Sequence, residues 1–186
     1  KRVSGQMQFG GFHTYTVDEH TLKAIGYIND IEVKKNIKEN VLYDKIFSEI
    51  ISSKILYIAM FFHDLGKGSG QDHSIASSEI AKKFCSYIEM DQTEKNTLLM
   101  NKISQKRDID DMNTIFEFAK KIRSLERLKL LFIFTIADMK ATGKSIWNTW
   151  NKLPLEQLFI KTRNLLIGSS INANKEIIEN IKLKLK

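Results

Sequence analysis

The sequence predicts an all-α fold: a helical bundle closed by a C-terminal helical hairpin. Three observations carry that reading. Apolar residues recur at helical spacing along nearly all of the 186-residue chain. There is one proline, Pro154, and nine glycines mark the breaks. No segment shows the period-two alternation of a half-buried strand.

The elements follow in order. Thr16-Val17-Asp18-Glu19 reads as a capping box, with Thr16 as N-cap and Glu19 at the third helical position. Val17, Thr21, Ala24, Ile25 and Ile28 then form one apolar face, with His20 in the first turn. A second helix is expected from about Asp44 to Phe62. Its second half is apolar all round, which marks it as the central buried helix, and it ends at His63-Asp64-Leu65-Gly66-Lys67-Gly68. A third covers roughly Ser74 to Ile88, and Asp91 to Glu94 announces a short fourth. Asp108 to Asp111 caps a helix carrying Met112, Ile115, Phe116, Ala119 and Ile122. Ser124 starts a long apolar helix that ends at Asp138. The tail supplies two helices, about Pro154 to Ile167 and Ala173 to Leu185. Pro154 stands at a first helical position, and Gly168-Ser169-Ser170 forms the stop.

Bulk properties narrow the function classes. At 42% hydrophobic and 27% charged, the chain can bury a core without staples. Its net charge is +7, but the basic residues are nearly all lysine and scattered. Nucleic-acid surfaces cluster arginine and aromatic residues, so no nucleic-acid partner is expected. The longest apolar run, Ile55 to Phe62, is too short to span a bilayer, so no membrane is expected either. A single cysteine, Cys85, can form no internal bridge and fits a packing role in a reducing cytoplasm. The opening Lys1-Arg2-Val3 has no leader character and suggests a piece cut from a longer protein.

The chemistry concentrates at His63-Asp64. Burying a histidine and an aspartate side by side at the mouth of an apolar helix costs several kcal/mol unless both are partnered. A divalent cation partners both. Asp138 closes the apolar run Leu130 to Ala137 and poses the same problem, unless it faces solvent or bonds a nearby hydroxyl. His20 is the remaining candidate, with an ordinary satisfied histidine as its alternative. His13, beside Phe12 and Tyr15, suits a core contact.

The order His20, His63-Asp64, Asp138 resembles the H…HD…D signature of the HD phosphohydrolase superfamily. FHTYTVDEHTL (12–22), FFHDLGKGSGQDHS (61–74), SQKRDIDD (104–111) and TIADMKATGKSIWNTW (135–150) are similar to the uridylyl-removing domain of PII-modifying enzymes. The resemblance implies an HD-type bundle over residues 1–160, with 161–186 a helical extension packed on it. It also implies a divalent cation (Mn or Mg, with Fe or Zn as alternatives) and removal of UMP from the signal protein PII. Under it His20, His63, Asp64 and Asp138 are the metal ligands. His63, Asp64 and Lys67 serve catalysis, Lys67 as a phosphate contact. His73 serves a second metal or the substrate, and Arg107 offsets phosphate charge or pairs with Asp108 or Asp110. Flanking nucleotidyltransferase and small-ligand-sensing domains are implied as well.

The sequence departs from the family at one place. Family members carry one or two histidines just before an LLM-like segment, where this chain reads Asn96-Thr97-Leu98-Leu99-Met100 after a shortened interval. Residues missing between about Asn96 and Asn101 would explain it. A true deletion would instead leave a mononuclear or weakened site. Two rival functions therefore stand beside the leading one: hydrolysis of a small nucleotide, and a weakened domain with a regulatory role.

Overall fold

The computed structural model describes residues 3–7, 14–33, 41–69, 73–87, 112–143 and 145–184, without the side chains of 73–74, 82, 85–87 and 169–184. Among these, all regular structure is helical: α1 (Val17–Glu32), α2 (Val41–Ser48), α3 (Lys54–Phe62), α4 (His73–Tyr87), α5 (Met112–Ile122), α6 (Leu125–Thr142) and α7 (Thr149–Lys184). One antiparallel bridge, Met7 to Thr16, ties the N-terminal segment to the start of α1. No helix among the described residues is long and apolar enough to cross a membrane.

The centre of the bundle is α6, not the helix leading to His63. Every residue from Leu130 through Ala137 is buried, and α1, α2, α3, α5 and α7 all pack against it. The helix before His63 was expected to take this place. It is only nine residues long, and Phe61 on its outer side is 49% exposed. An 18-residue helix offers all its faces to neighbours in a way a nine-residue one does not.

The expected helix from Asp44 to Phe62 is two helices, α2 and α3, parted at residues 49–53. The Ser48 hydroxyl donates to the carbonyl of Lys45, and the Ile51 N–H donates to the Glu126 carboxylate at 2.7 Å. With Ser52 and Ser53 following, side chains compete with the helical ladder and win. The Thr16 capping box also differs. The Thr16 hydroxyl donates to Asp18 at 2.6 Å rather than accepting from α1. That carboxylate also receives the Gly5 N–H, and these two bonds hold Asp18 below the usual carboxylate range. Ser124 does cap α6, accepting from the Arg127 N–H.

The two tail helices run as one, α7. It begins at Thr149, where Asn148 accepts from the Asn151 N–H, so Pro154 lies inside it. The missing N–H of Pro154 leaves only the Trp150 carbonyl unbonded in the ladder, and Trp150 is 87% exposed, so water can satisfy it. Gly168 has open space around it. One helical glycine costs roughly 1 kcal/mol relative to alanine, too little to stop a helix of this length. The Tyr43 hydroxyl donates to Glu156 at 2.7 Å and joins α2 to α7, while Phe132 stacks on Phe159. The stretches around Asp91 and between Asn96 and Asn101 lie outside the described residues, as does His13.

Candidate metal centre

Three elements deliver the site. His20 projects from the first turns of α1 onto α6. His63 and Asp64 follow directly on α3. Asp138 lies one turn before the end of α6. The apolar sides of α1, α3 and α6 pack on one another, and that packing brings polar residues far apart in the chain to one point.

His20 Nε2 lies 2.9 Å from Asp138 Oδ1 and 3.3 Å from His63 Nε2. His63 Nε2 is 3.2 Å from Asp64 Oδ2 and 3.4 Å from Asp138 Oδ1. His20 Nε2 and Asp64 Oδ2 are 3.8 Å apart. Ligand atoms held ~2.1 Å from one cation are spaced by about 3.0–3.4 Å along the edges of its coordination shell. The cluster has that size before any ion enters it. His20, His63 and Asp138 form a group able to hold a metal ion, with ligand atoms all within 4.8 Å of one another.

The neighbours of these residues orient them. His63 Nδ1–H donates to the Met60 carbonyl at 2.6 Å, which aims Nε2 into the cluster. Phe134 packs edge-on to the His63 ring, with centroids 5.7 Å apart. Lys67 Nζ sits 2.6 Å from Asp64 Oδ2. The His20, His63 and Asp64 side chains are nearly closed off, whereas that of Asp138 is 24% exposed and marks the open side.

Charge follows from this packing. Burial alone pulls the His63 imidazole down, but the carboxylates of Asp138 and Asp64 outweigh it and push the group up to about 10. Burial raises Asp64, yet His63 and Lys67 hold it down at about 2. Asp138 is likewise raised by burial and drawn well below the usual range by His20 and His63. Without a cation, protonated His63 thus supplies the positive charge that the two carboxylates demand.

Of the residues singled out from the sequence, His20, His63, Asp64 and Asp138 meet, and Lys67 stands at their edge. His73 opens α4 just past the Asp64 turn, but its side chain is not among those described, and Arg107 lies outside the described residues. Three contributors were missed. Met60 acts through its backbone, which no residue type advertises. Ser77 of α4 accepts the Gly66 N–H at 2.9 Å. Phe134 stands one helical turn before Asp138, a spacing that could have been read.

An all-α protein with a buried histidine–aspartate cluster able to hold a cation is the class that fold and site define. Among curated proteins, the chain is similar to the bifunctional uridylyltransferase/uridylyl-removing enzyme of Gluconobacter oxydans, 39% identical over 175 residues. It is similar to those of Novosphingobium aromaticivorans, 37% over 173 residues, and Azospirillum brasilense, 36% over 175 residues. These alignments take in 89–90% of this chain but only 18–19% of each relative, so the chain spans about a fifth of their length. No family model matches the chain, and no solved structure matches it.

Proposed function

We propose that this chain is an HD-type, metal-dependent phosphodiester hydrolase domain of a longer, cytoplasmic uridylyltransferase/uridylyl-removing enzyme. Its substrate is uridylylated PII, from which it releases UMP. Residues 1–160 make up the hydrolase unit, and 161–186 are a C-terminal extension of it, in which residues 161–184 continue α7. The observation that carries the reading is the convergence of His20, His63 and Asp138 with Asp64, at spacings that suit one shared cation.

Two imidazole nitrogens and two carboxylate oxygens are a donor set that suits Mn²⁺ or Mg²⁺, with Fe²⁺ and Zn²⁺ as alternatives. His20, His63, Asp64 and Asp138 would hold the ion. A bound cation there supplies Lewis acidity toward a phosphoryl oxygen and a water acidified toward neutral pH. The chain's own residues do the rest. The Met60 carbonyl keeps the His63 proton on Nδ1 and so leaves Nε2 as the ligand atom. Lys67 pairs with Asp64 and brings an ammonium to the edge of the cluster, where a phosphodiester would need a counter-charge. The closed sides around His20 and His63 keep bulk water off the ligands, and substrate enters beside Asp138.

Incubating the chain with Mn²⁺ and uridylylated PII tests the reading. UMP is released, the release needs the metal, and His63→Ala abolishes it. Hydrolysis of free nucleotides with none of uridylylated PII would favour the small-nucleotide enzyme. Failure on both, with metal bound, would favour a regulatory module.

A further inference from the structure

Lys67 stands between two glycines, and a side chain from a distant part of the chain lies against each. On one side the Gly66 N–H donates to Ser77 Oγ of α4 at 2.9 Å. On the other, Gly68 has a φ of 75°, a conformation open to glycine and strained for other residues. The Gln6 carboxamide lies against it so closely that a β-carbon there would meet Gln6 Nε2 at 2.6 Å and Oε1 at 3.1 Å. Within the turn, the Lys67 N–H bonds the Asp64 carbonyl at 3.0 Å and the Ser69 N–H bonds the Gly66 carbonyl at 3.3 Å.

Gln6 is anchored in its turn. Its carbonyl accepts from the Val17 N–H at 3.0 Å, and its N–H donates to the Val3 carbonyl at 3.2 Å. The neighbouring Gly5 N–H donates to Asp18 at 3.1 Å, and Met7 bridges to Thr16. Apart from the Gln6–Val3 bond, which closes the turn itself, these contacts fasten the segment to the start of α1, the helix that presents His20.

We propose that Gln6 is a positioning residue. By packing on Gly68 it fixes the 64–69 turn relative to α1, and so keeps the Lys67 ammonium on Asp64 at the rim of the metal centre. That this placement serves phosphate binding rests on the function proposed above. The placement itself rests only on the contacts just described. Among the described residues, the backbone bonds of Gln6 run to Val3 and Val17, and none of them joins it to His20, His63, Asp64 or Asp138. Loss of the Gln6 side chain therefore acts on Lys67, while His20, His63, Asp64 and Asp138 keep the positions that α1, α3 and α6 give them.

The test compares the parent chain with Gln6→Ala and with Gln6→Met, which keeps side-chain length and packing. Amide hydrogen exchange, Mn²⁺ affinity and UMP release from uridylylated PII are measured on each. In Gln6→Ala, the Lys67 and Ser69 amides exchange at least about tenfold faster, while those of α1 and α6 are unchanged. Mn²⁺ affinity is unchanged, and kcat/KM for UMP release falls by about tenfold. Gln6→Met restores both exchange and turnover. Unaltered exchange at Lys67 and Ser69 in Gln6→Ala would overturn the proposal. So would uniformly faster exchange, or Mn²⁺ affinity falling in step. If the parent chain releases no UMP while the exchange results come out as stated, the positioning role stands and the uridylyl-removing function fails.

Discussion

The imidazole of His63 donates its Nδ1–H to the carbonyl of Met60, so the other ring nitrogen must take part in whatever happens in the cluster. Without a cation, Nε2 carries a proton and donates it toward Asp64 and Asp138. With a cation, it must give that proton up.

Metal binding should therefore release protons. Because His63 is pushed up to about 10, a cation displaces close to one proton per site near neutral pH, and its apparent affinity climbs with pH toward that value. Mn²⁺ calorimetry in two buffers of different ionisation enthalpy measures the release directly. An affinity that is flat between about pH 6 and pH 9 would contradict it.

The metal-free protein carries the same linkage in its stability. His63 goes from an ordinary 6.5 to about 10 on folding, so its contribution is fully present below 6.5 and is lost as pH rises through 10. Asp64 goes from 3.8 to about 2, so its contribution is present above 3.8 and is lost as pH falls through 2. Thermal melts with chelator should show the alkaline loss in the parent chain and a shallower one in His63→Gln. Parallel alkaline limbs would mean that His63 holds no raised affinity for its proton.

Ligand variants should separate binding from folding. Asp138→Asn and His20→Ala each lower Mn²⁺ affinity by at least about 100-fold, a larger loss than typical of residues that only orient a ligand. Helical content stays, because α1 and α6 pack together and Ala24, Ile28 and Ile133 all belong to the buried apolar core. Circular dichroism beside metal titration checks both halves. Normal affinity in either variant would remove that residue from the ligand set.

The all-α class was legible because one periodicity runs through the chain, and the meeting of His20, His63, Asp64 and Asp138 because the resemblance named them and an aspartate at the end of an apolar helix needs a partner. Helix boundaries were less so. The break between α2 and α3 depends on Glu126, which reaches Ile51 from a helix 75 residues further on. No local pattern records that. Pro154 and Gly168 read as punctuation, yet α7 runs through both. Local signals also misplaced the centre of the bundle. All-round apolarity is shared by α3 and α6, and helix length settled which of them is enclosed.

The enclosure of α6 gives a further expectation. Ile133 is completely buried, and Ile133→Ala should cost about 2–5 kcal/mol in chemical denaturation. Tyr43→Phe removes only the hydroxyl that donates to Glu156 and should cost about 1 kcal/mol. The reverse order of these losses would place the centre of the bundle elsewhere.

The central claim is that His20, His63, Asp64 and Asp138 share one cation. Anomalous diffraction from Mn²⁺-loaded crystals tests it most directly. The account predicts a peak ~2.0–2.3 Å from His20 Nε2, His63 Nε2, Asp64 Oδ2 and Asp138 Oδ1. A peak elsewhere, or one that leaves His63 or Asp138 out of reach, would contradict it.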